Sequence, residues 1–351
     1  MIKEVLARTA AKMTEIKQDG FLEECPIGII DIENWEWPQG IGMYGLYKLY
    51  KEQGQTEYLD YLIQWYDRNI QKGLPCKNVN TMAPMLTLTY LYEETGRQDY
   101  LDLMKSWAEW VYTEMPRTPE GGLQHIVSGE ENKNQLWIDT LFMTVLFMAR
   151  MGMLLKKDAY IEEAKKQFLI HIKYLYDKKT GLWYHGWSFD GRHNFAGAFW
   201  ARGNCWYTAG VCEFLEILNI RSGALYDYLT DTLKAQAEAL EKTQDAGGGW
   251  HTLLNDDSTY LEASATAGFG YGILKAVRKG YIDSRFREMG KRALTYITAN
   301  IGTDGTLGQV SYGTGMGWDL EHYKNIPLCS MTYGQALAIL ILMEGLYCDE
   351  E

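Results

Sequence analysis

The sequence predicts an all-α protein built from a repeated helical hairpin, with short β-like pieces in the connecting loops. Two series of repeats carry that reading. In the first, YKLYKEQGQTEYLDYLIQW (47–65) lies over YLYEETGRQDYLDLMKSW (90–107) at a constant shift. Tyr50, Gly54, Tyr58, Leu59, Asp60 and Trp65 fall on Tyr92, Gly96, Tyr100, Leu101, Asp102 and Trp107. Each copy reads as a helix, a glycine-containing break and a second helix beginning near YLD. Weaker echoes follow at 153–168, 220–233 and 276–290, with apolar residues at three- and four-residue spacing on both sides of each break.

The second series lies between the hairpins: TPEGGLQHI (118–126), DKKTGLWYHGW (177–187), TQDAGGGWHTL (243–253) and GTDGTLGQV (302–310). Each is a glycine turn followed by a short β-like piece. Only seven prolines interrupt the pattern, and no Ser/Pro linker or charge block marks a boundary. One domain of about a dozen helices follows, either a closed double ring or an open solenoid. In a closed ring, the loops at one end would gather the Trp- and His-bearing segments around a central cavity.

Composition excludes several functions. The 351 residues carry a net charge of −12 without a Lys/Arg cluster, which argues against nucleic acid as a partner. No apolar run suits a membrane span. The amphipathic N-terminal stretch lacks the apolar region of a secretory signal, so a cytoplasmic protein is expected. Its six scattered cysteines, among them Cys25, are then reduced thiols. No GxGxxG follows a strand, GxxxxGK[ST], HExxH and GxSxG are absent, and the histidines show no metal-ligand spacing. Neither a metal nor a cofactor is expected.

What the chain does offer is aromatic rings, with 12 Trp and 25 Tyr. Flat rings with a polar edge are suited to stacking sugars. NWEWPQG supplies Trp35, Trp37 and Gln39, GGLQH ends in His125, GLWYHGW holds His185, and AFWARGNCW holds Trp200, Arg202 and Trp206. Taken singly, each ring could be core and each histidine a helix cap. Together, at loop positions, they point to a sugar site.

QLWIDTLFM (135–143) sets Asp139 among Trp137, Ile138, Leu141 and Phe142. Burial there would raise the Asp139 pKa and keep it protonated near neutrality, as a general acid requires. An ordinary glycosidase needs a second carboxylate, and Asp190, Asp245 and Glu262 are candidates that spacing does not rank.

The pieces WEWPQG, GGLQH, QLWIDTLFM, GLWYHGW, FWARGNCW and YLEASATAGFGYGI (260–273), in that order, resemble glycoside hydrolase family 105. These are the unsaturated rhamnogalacturonyl hydrolases, related to the unsaturated glucuronyl hydrolases of family 88. The resemblance runs from about residue 30 to 345. It implies an (α/α)6 barrel, a six-hairpin toroid, with residues 1–351 as a single catalytic domain. It also implies removal of a 4,5-unsaturated uronic acid from the non-reducing end of lyase-generated oligosaccharides, with a rhamnogalacturonan-type leaving chain. Asp139 matches the catalytic acid/base. Trp37, Trp137, Trp200 and Trp206 match the aromatic walls, His185 and Arg202 match uronate contacts, His125 matches another pocket position, and Asn80 stands where many relatives carry Asp. The partner is a small unsaturated oligosaccharide, and the chain is a monomer or homodimer. Glucuronyl hydrolysis of glycosaminoglycan or ulvan fragments, 2-epimerisation of a sugar, and a non-catalytic sugar-binding barrel are the competing readings.

Overall fold

The computed structural model describes residues 2–16 and 31–348. Helices α2 (Trp37–Gln53) and α3 (Thr56–Lys72) form one hairpin, and α4 (Val79–Thr95) and α5 (Gln98–Thr113) form the next. Gly54 and Gly96 end α2 and α4 in the left-handed conformation that the repeat demands of them (φ 70° and 66°). The third hairpin pairs α6 (Leu146–Leu155), entered through a π-helical turn at Leu141–Val145, with α7 (Asp158–Leu175). Its break has no glycine, and Lys156 takes the left-handed position instead. Helices α8 (Ala201–Ile217) and α9 (Ala224–Thr243), then α10 (Ala263–Arg278) and α11 (Arg287–Asn300), make two more. A short α12 (Leu320–Lys324) precedes α13 (Thr332–Cys348), which packs on the N-terminal helix α1 (Ile2–Met13) as a sixth pair. Residues 17–30, Cys25 among them, lie outside the described residues.

Two kinds of helix alternate. Every residue of α10 from Ala263 to Val277, and of α13 from Thr332 to Gly345, is buried, whereas α3 buries only Leu62, Trp65, Tyr66 and Asn69. Helices α2, α4, α6, α8, α10 and α13 form the inner ring, each touching the next, and α13 returns to α2. The ring is closed, and the open solenoid is excluded. Apolar residues all round the inner helices, against a single apolar stripe outside, are the sequence form of a double ring. Backbones approach closely between α2 and α4, where a Cβ on Gly40 would lie 2.6 Å from the Pro84 nitrogen. The repeated Trp65 and Trp107 both pack against Trp35. Among the described residues no helix is long and apolar enough to cross a membrane.

The glycine turns of the second series lead from the outer helices back to the inner ones. Gly121, Gly181, Gly248 and Gly305 all have positive φ, and the expected β-like pieces appear as bridges such as Tyr176 to Trp183. A two-stranded ladder joins β1 (Gln135–Trp137) to β2 (Gly186–Ser188), with Trp137 opposite Gly186.

Toward the C-terminal ends of the inner helices, the middle and later turns of three of them meet on one buried carboxylate. Glu213 of α8 accepts from Tyr44 and Tyr271 and pairs with Lys275, while Lys48 lies 3.3 Å away. Burial pushes the Glu213 carboxyl up, but Lys275 and Lys48 hold it well below the usual range. Removing one partner of such a buried pair leaves an uncompensated charge. Lys275→Met is therefore expected to lower unfolding stability by about 3 kcal/mol, checked by urea denaturation. Unchanged stability would mean that Lys48 alone balances Glu213.

Candidate active site

The inner helices turn their N-termini to one end, and a cavity of about 210 Å³ opens among them. Glu36 and Trp37 reach it from the start of α2, Asn80 from the first turn of α4, Asp139 and Met143 from the entry to α6, and Trp200 from the N-cap of α8. His125, Ser128, Trp137, Thr314 and Gly315 complete much of the wall. Unpaired N–H groups and helix dipoles make this end favourable to an anion.

The backbone ladder sets the chemistry. Ile138 N–H donates to the His185 carbonyl, and His125 N–H donates to that of Gln135, so β1 draws both histidines to Asp139. A Cβ on Gly186 would lie 2.3 Å from the Met316 methyl group, so glycine there lets the 312–318 segment close over the ladder. His125 stacks on Trp137 at 4.1 Å, and His185 tilts against Trp200 at 4.4 Å.

The Asp139 side chain keeps 18 % of its surface exposed, so it faces the cavity rather than the core. Its Oδ2 lies 3.4 Å from His185 Nε2. The expected rise in its pKa is not what the site produces. Burial does push the carboxyl up, but the adjacent His185 imidazole, with Arg202 behind, pulls it below the ordinary aspartate value. These groups therefore hold Asp139 as a carboxylate at neutral pH. His185 is itself fixed by Tyr323, whose hydroxyl is 2.7 Å from Nδ1 and accepts from Gly317 N–H. Burial lowers His125 to about 3, so this ring is neutral, with Nδ1 on Thr140.

Six of the sequence-derived residues line the cavity: Trp37, Asn80, His125, Trp137, Asp139 and Trp200. The other three stand one layer behind. His185 touches Asp139, and Trp206 packs edge-on against Trp37. Arg202, expected at the uronate, is 1 % exposed. It donates to the Ser311 and Tyr312 carbonyls and to Ser311 Oγ, stacks over Trp200, and lies 3.8 Å from Glu262. It braces the segment that leads to Thr314 instead of facing the cavity.

The other carboxyl groups of the cavity wall are the part-buried Glu36 and the exposed Glu130, both outside the three candidates. Glu262 is the buried N-cap of α10, Asp190 bonds Asn134, and Asp245 caps a glycine turn. Glu36 accepts from Trp37 N–H, yet burial carries its carboxyl up to about 7. A signal was available: WEWPQG puts Glu36 directly before a Trp-Pro pair, a helix-start signature. Nothing local marks Tyr323 or Thr314, which arrive from the far end of the chain.

Arg202→Ala is accordingly expected to leave Glu262 unbalanced and to lower stability by about 3 kcal/mol, read by thermal and urea unfolding. A stable variant with only a raised KM would restore the uronate contact.

Residues 8–348 match the family model for Glycosyl Hydrolase Family 88. The chain is 32 % identical over 315 residues to the unsaturated rhamnogalacturonyl hydrolase YesR of Bacillus subtilis strain 168, spanning 89 % of this chain and 90 % of that protein. It is 48 % identical to a Salmonella enterica serovar Paratyphi A protein described as a possible member of the GH105 family, with a TM-score of 0.96 over 99 % of this chain and 94 % of that one. The unsaturated glucuronyl hydrolase of Bacillus sp. GL1 shares the fold, with a TM-score of 0.74 at 16 % identity over 97 % and 95 % of the two chains. A closed ring of six helical hairpins, an aromatic cavity at its N-terminal end and a carboxylate on its wall thus come with matches over nearly the whole chain: it belongs to the glycosyl hydrolase family 88/105 group and is a glycoside hydrolase.

Proposed function

We propose that this enzyme removes a 4,5-unsaturated uronic acid from the non-reducing end of lyase-generated oligosaccharides, with Asp139 as the acid/base. The observation that carries the reading is a partly exposed carboxylate facing an aromatic cavity and held by a histidine. The extent of identity with YesR favours rhamnogalacturonan fragments, and hence a part in pectin degradation. The whole chain acts as one catalytic domain, as a monomer or homodimer, and the buried thiols of Cys205 and Cys212 suit a reducing cytoplasm.

The steps follow from charge. Before substrate binds, Asp139 is ionised. A bound uronate brings a second negative charge beside it and displaces its remaining water, and both effects raise its pKa. Asp139 then takes a proton and delivers it to C4 of the enol ether. Positive charge develops at C5 and the ring oxygen, where the aromatic walls exclude bulk water. One water adds to C5 and gives its proton back to Asp139. The C5 hemiketal opens to a ketone, which leaves C1 as a hemiacetal that expels the neighbouring sugar. His185 holds the carboxylate in place throughout. Glu36, neutral up to about pH 7, offers an O–H to the anionic substrate or to its hydroxyls.

Loss of the ultraviolet absorbance of the conjugated double bond measures the reaction. Wild-type enzyme is expected to bleach a lyase digest of rhamnogalacturonan and to leave a chondroitin digest unchanged. The reverse would move the substrate to the glucuronyl type. Asp139→Asn should fold normally and lose roughly 10²–10⁴-fold in kcat. An Asn variant of full activity would remove Asp139 from the chemistry.

Glu36 gives a separate pH signature. Below about 7 it is neutral, and above it is an anion that repels the uronate. KM should therefore climb as pH passes 7, and Glu36→Gln should abolish that climb. Parallel profiles for the two proteins would place the titration elsewhere.

A further inference from the structure

The lip of the cavity continues into a feature that the chemistry above does not use. Thr314 and Gly315 line the cavity, and the chain then runs through Met316 and Gly317 to Trp318. Trp318 is 68 % exposed, the most open large apolar side chain among the described residues, and Leu320 beside it is 40 % exposed. A tryptophan held in water gives up the burial that usually stabilises it.

Its position is nevertheless fixed. Thr314 Oγ1 lies 2.7 Å from His322 Nε2, and Gly317 N–H donates to Tyr323, the residue that holds His185. From the other side comes the loop between β2 and α8, which also supplies Trp200. There Phe195 meets Trp318 at 4.9 Å and 70°, and His193 meets it at 5.7 Å and 54°. Phe195 adopts φ 53°, an uncommon conformation for an aromatic residue. It is held there by a bond from its N–H to His193 Nδ1, and Asn194 ties the loop to the Gly186 carbonyl. Two loops, both rooted at the cavity, thus bring three rings together. The contacts on Trp318 are edge-on or tilted, and its exposure leaves ring surface open to solvent.

We propose that Trp318, seated on Phe195 and His193, is a stacking platform for a neutral sugar of the leaving chain, beyond the first leaving residue. Two residues separate it from Gly315, so it stands at most about 10 Å of extended chain away, and it is not among the residues that line the cavity taking the uronate. The platform presents rings where a second uronate would call for a guanidinium or ammonium group, which suits the apolar face of a hexose or deoxyhexose. Continuity with the cavity lip identifies the occupant as the remainder of the same substrate. The inference rests on the function proposed above.

The test compares unsaturated disaccharide and tetrasaccharide from a rhamnogalacturonan lyase digest. In Trp318→Ala, KM for the tetrasaccharide should rise roughly five- to tenfold while kcat, and both constants for the disaccharide, stay at wild-type values. Trp318→Phe should recover most of the loss. An equal penalty on both substrates would make Trp318 a mere support for the lip, and no penalty on either would also overturn the platform. Calorimetric binding of the tetrasaccharide keeps the two readings apart. If wild-type enzyme turns over neither substrate, the proposed function fails, and weaker binding by Trp318→Ala alone still supports the platform, whereas equal binding overturns it.

Discussion

The common direction of the six inner helices is the constraint on which the site depends. Each outer helix returns the chain to the starting end, so every inner helix begins near the same place. Contacts at both ends of the ring express this. At the N-terminal end Trp37 of α2 stacks on Tyr333 of α13, and Arg202 of α8 approaches the Glu262 cap of α10. At the other end Glu213 collects side chains from α2 and α10, and Arg278 of α10 pairs with Glu344 of α13. Reversing one inner helix would break both sets and remove one N-terminus from the cavity. The charged cluster plugs the axis at one end, and helix N-termini surround the opening at the other.

That arrangement accounts for a cavity that can receive an anion with no arginine or lysine among the described residues of its wall. Arg202 acts from behind Trp200, where its charge reaches Asp139 while its N–H groups hold backbone carbonyls of the lip. A buried guanidinium bound to carbonyls is a rigid brace, and rigid support is what a site of defined geometry requires. The same residue thus links the electrostatics of the acid/base to the position of Thr314 and Gly315.

Asp139 and Glu36 show how one cavity keeps part-buried carboxyl groups in different states. Both are partly removed from water, which favours the protonated form. Glu36 has only one backbone N–H to oppose that, and it rises to about 7. Asp139 has His185 at 3.4 Å and Arg202 in reserve, and it falls. Hydrophobic neighbours in the sequence therefore foretell desolvation but not its outcome, because the opposing charges come from residues 46 and 63 positions away.

The sequence by itself determined the helical hairpins, their glycine breaks, the β-like turns between them and the loops that bear the cavity's aromatic rings. Those features are local: a left-handed φ selects glycine at positions such as 54 and 96, and helical periodicity exposes which face is apolar. It also singled out Asp139 and five other residues of the wall, because their loops carry unusual combinations of rings and polar groups. The hairpin repeat left the ring open or closed, and only the family resemblance implied closure; the tertiary structure alone decided that Arg202 is buried behind the wall, that Glu36 is a part-buried carboxyl of the cavity, and that Tyr323 holds His185. Each of these depends on contacts between segments far apart in the chain, where direction and distance are fixed by packing rather than by any pattern of neighbouring residues.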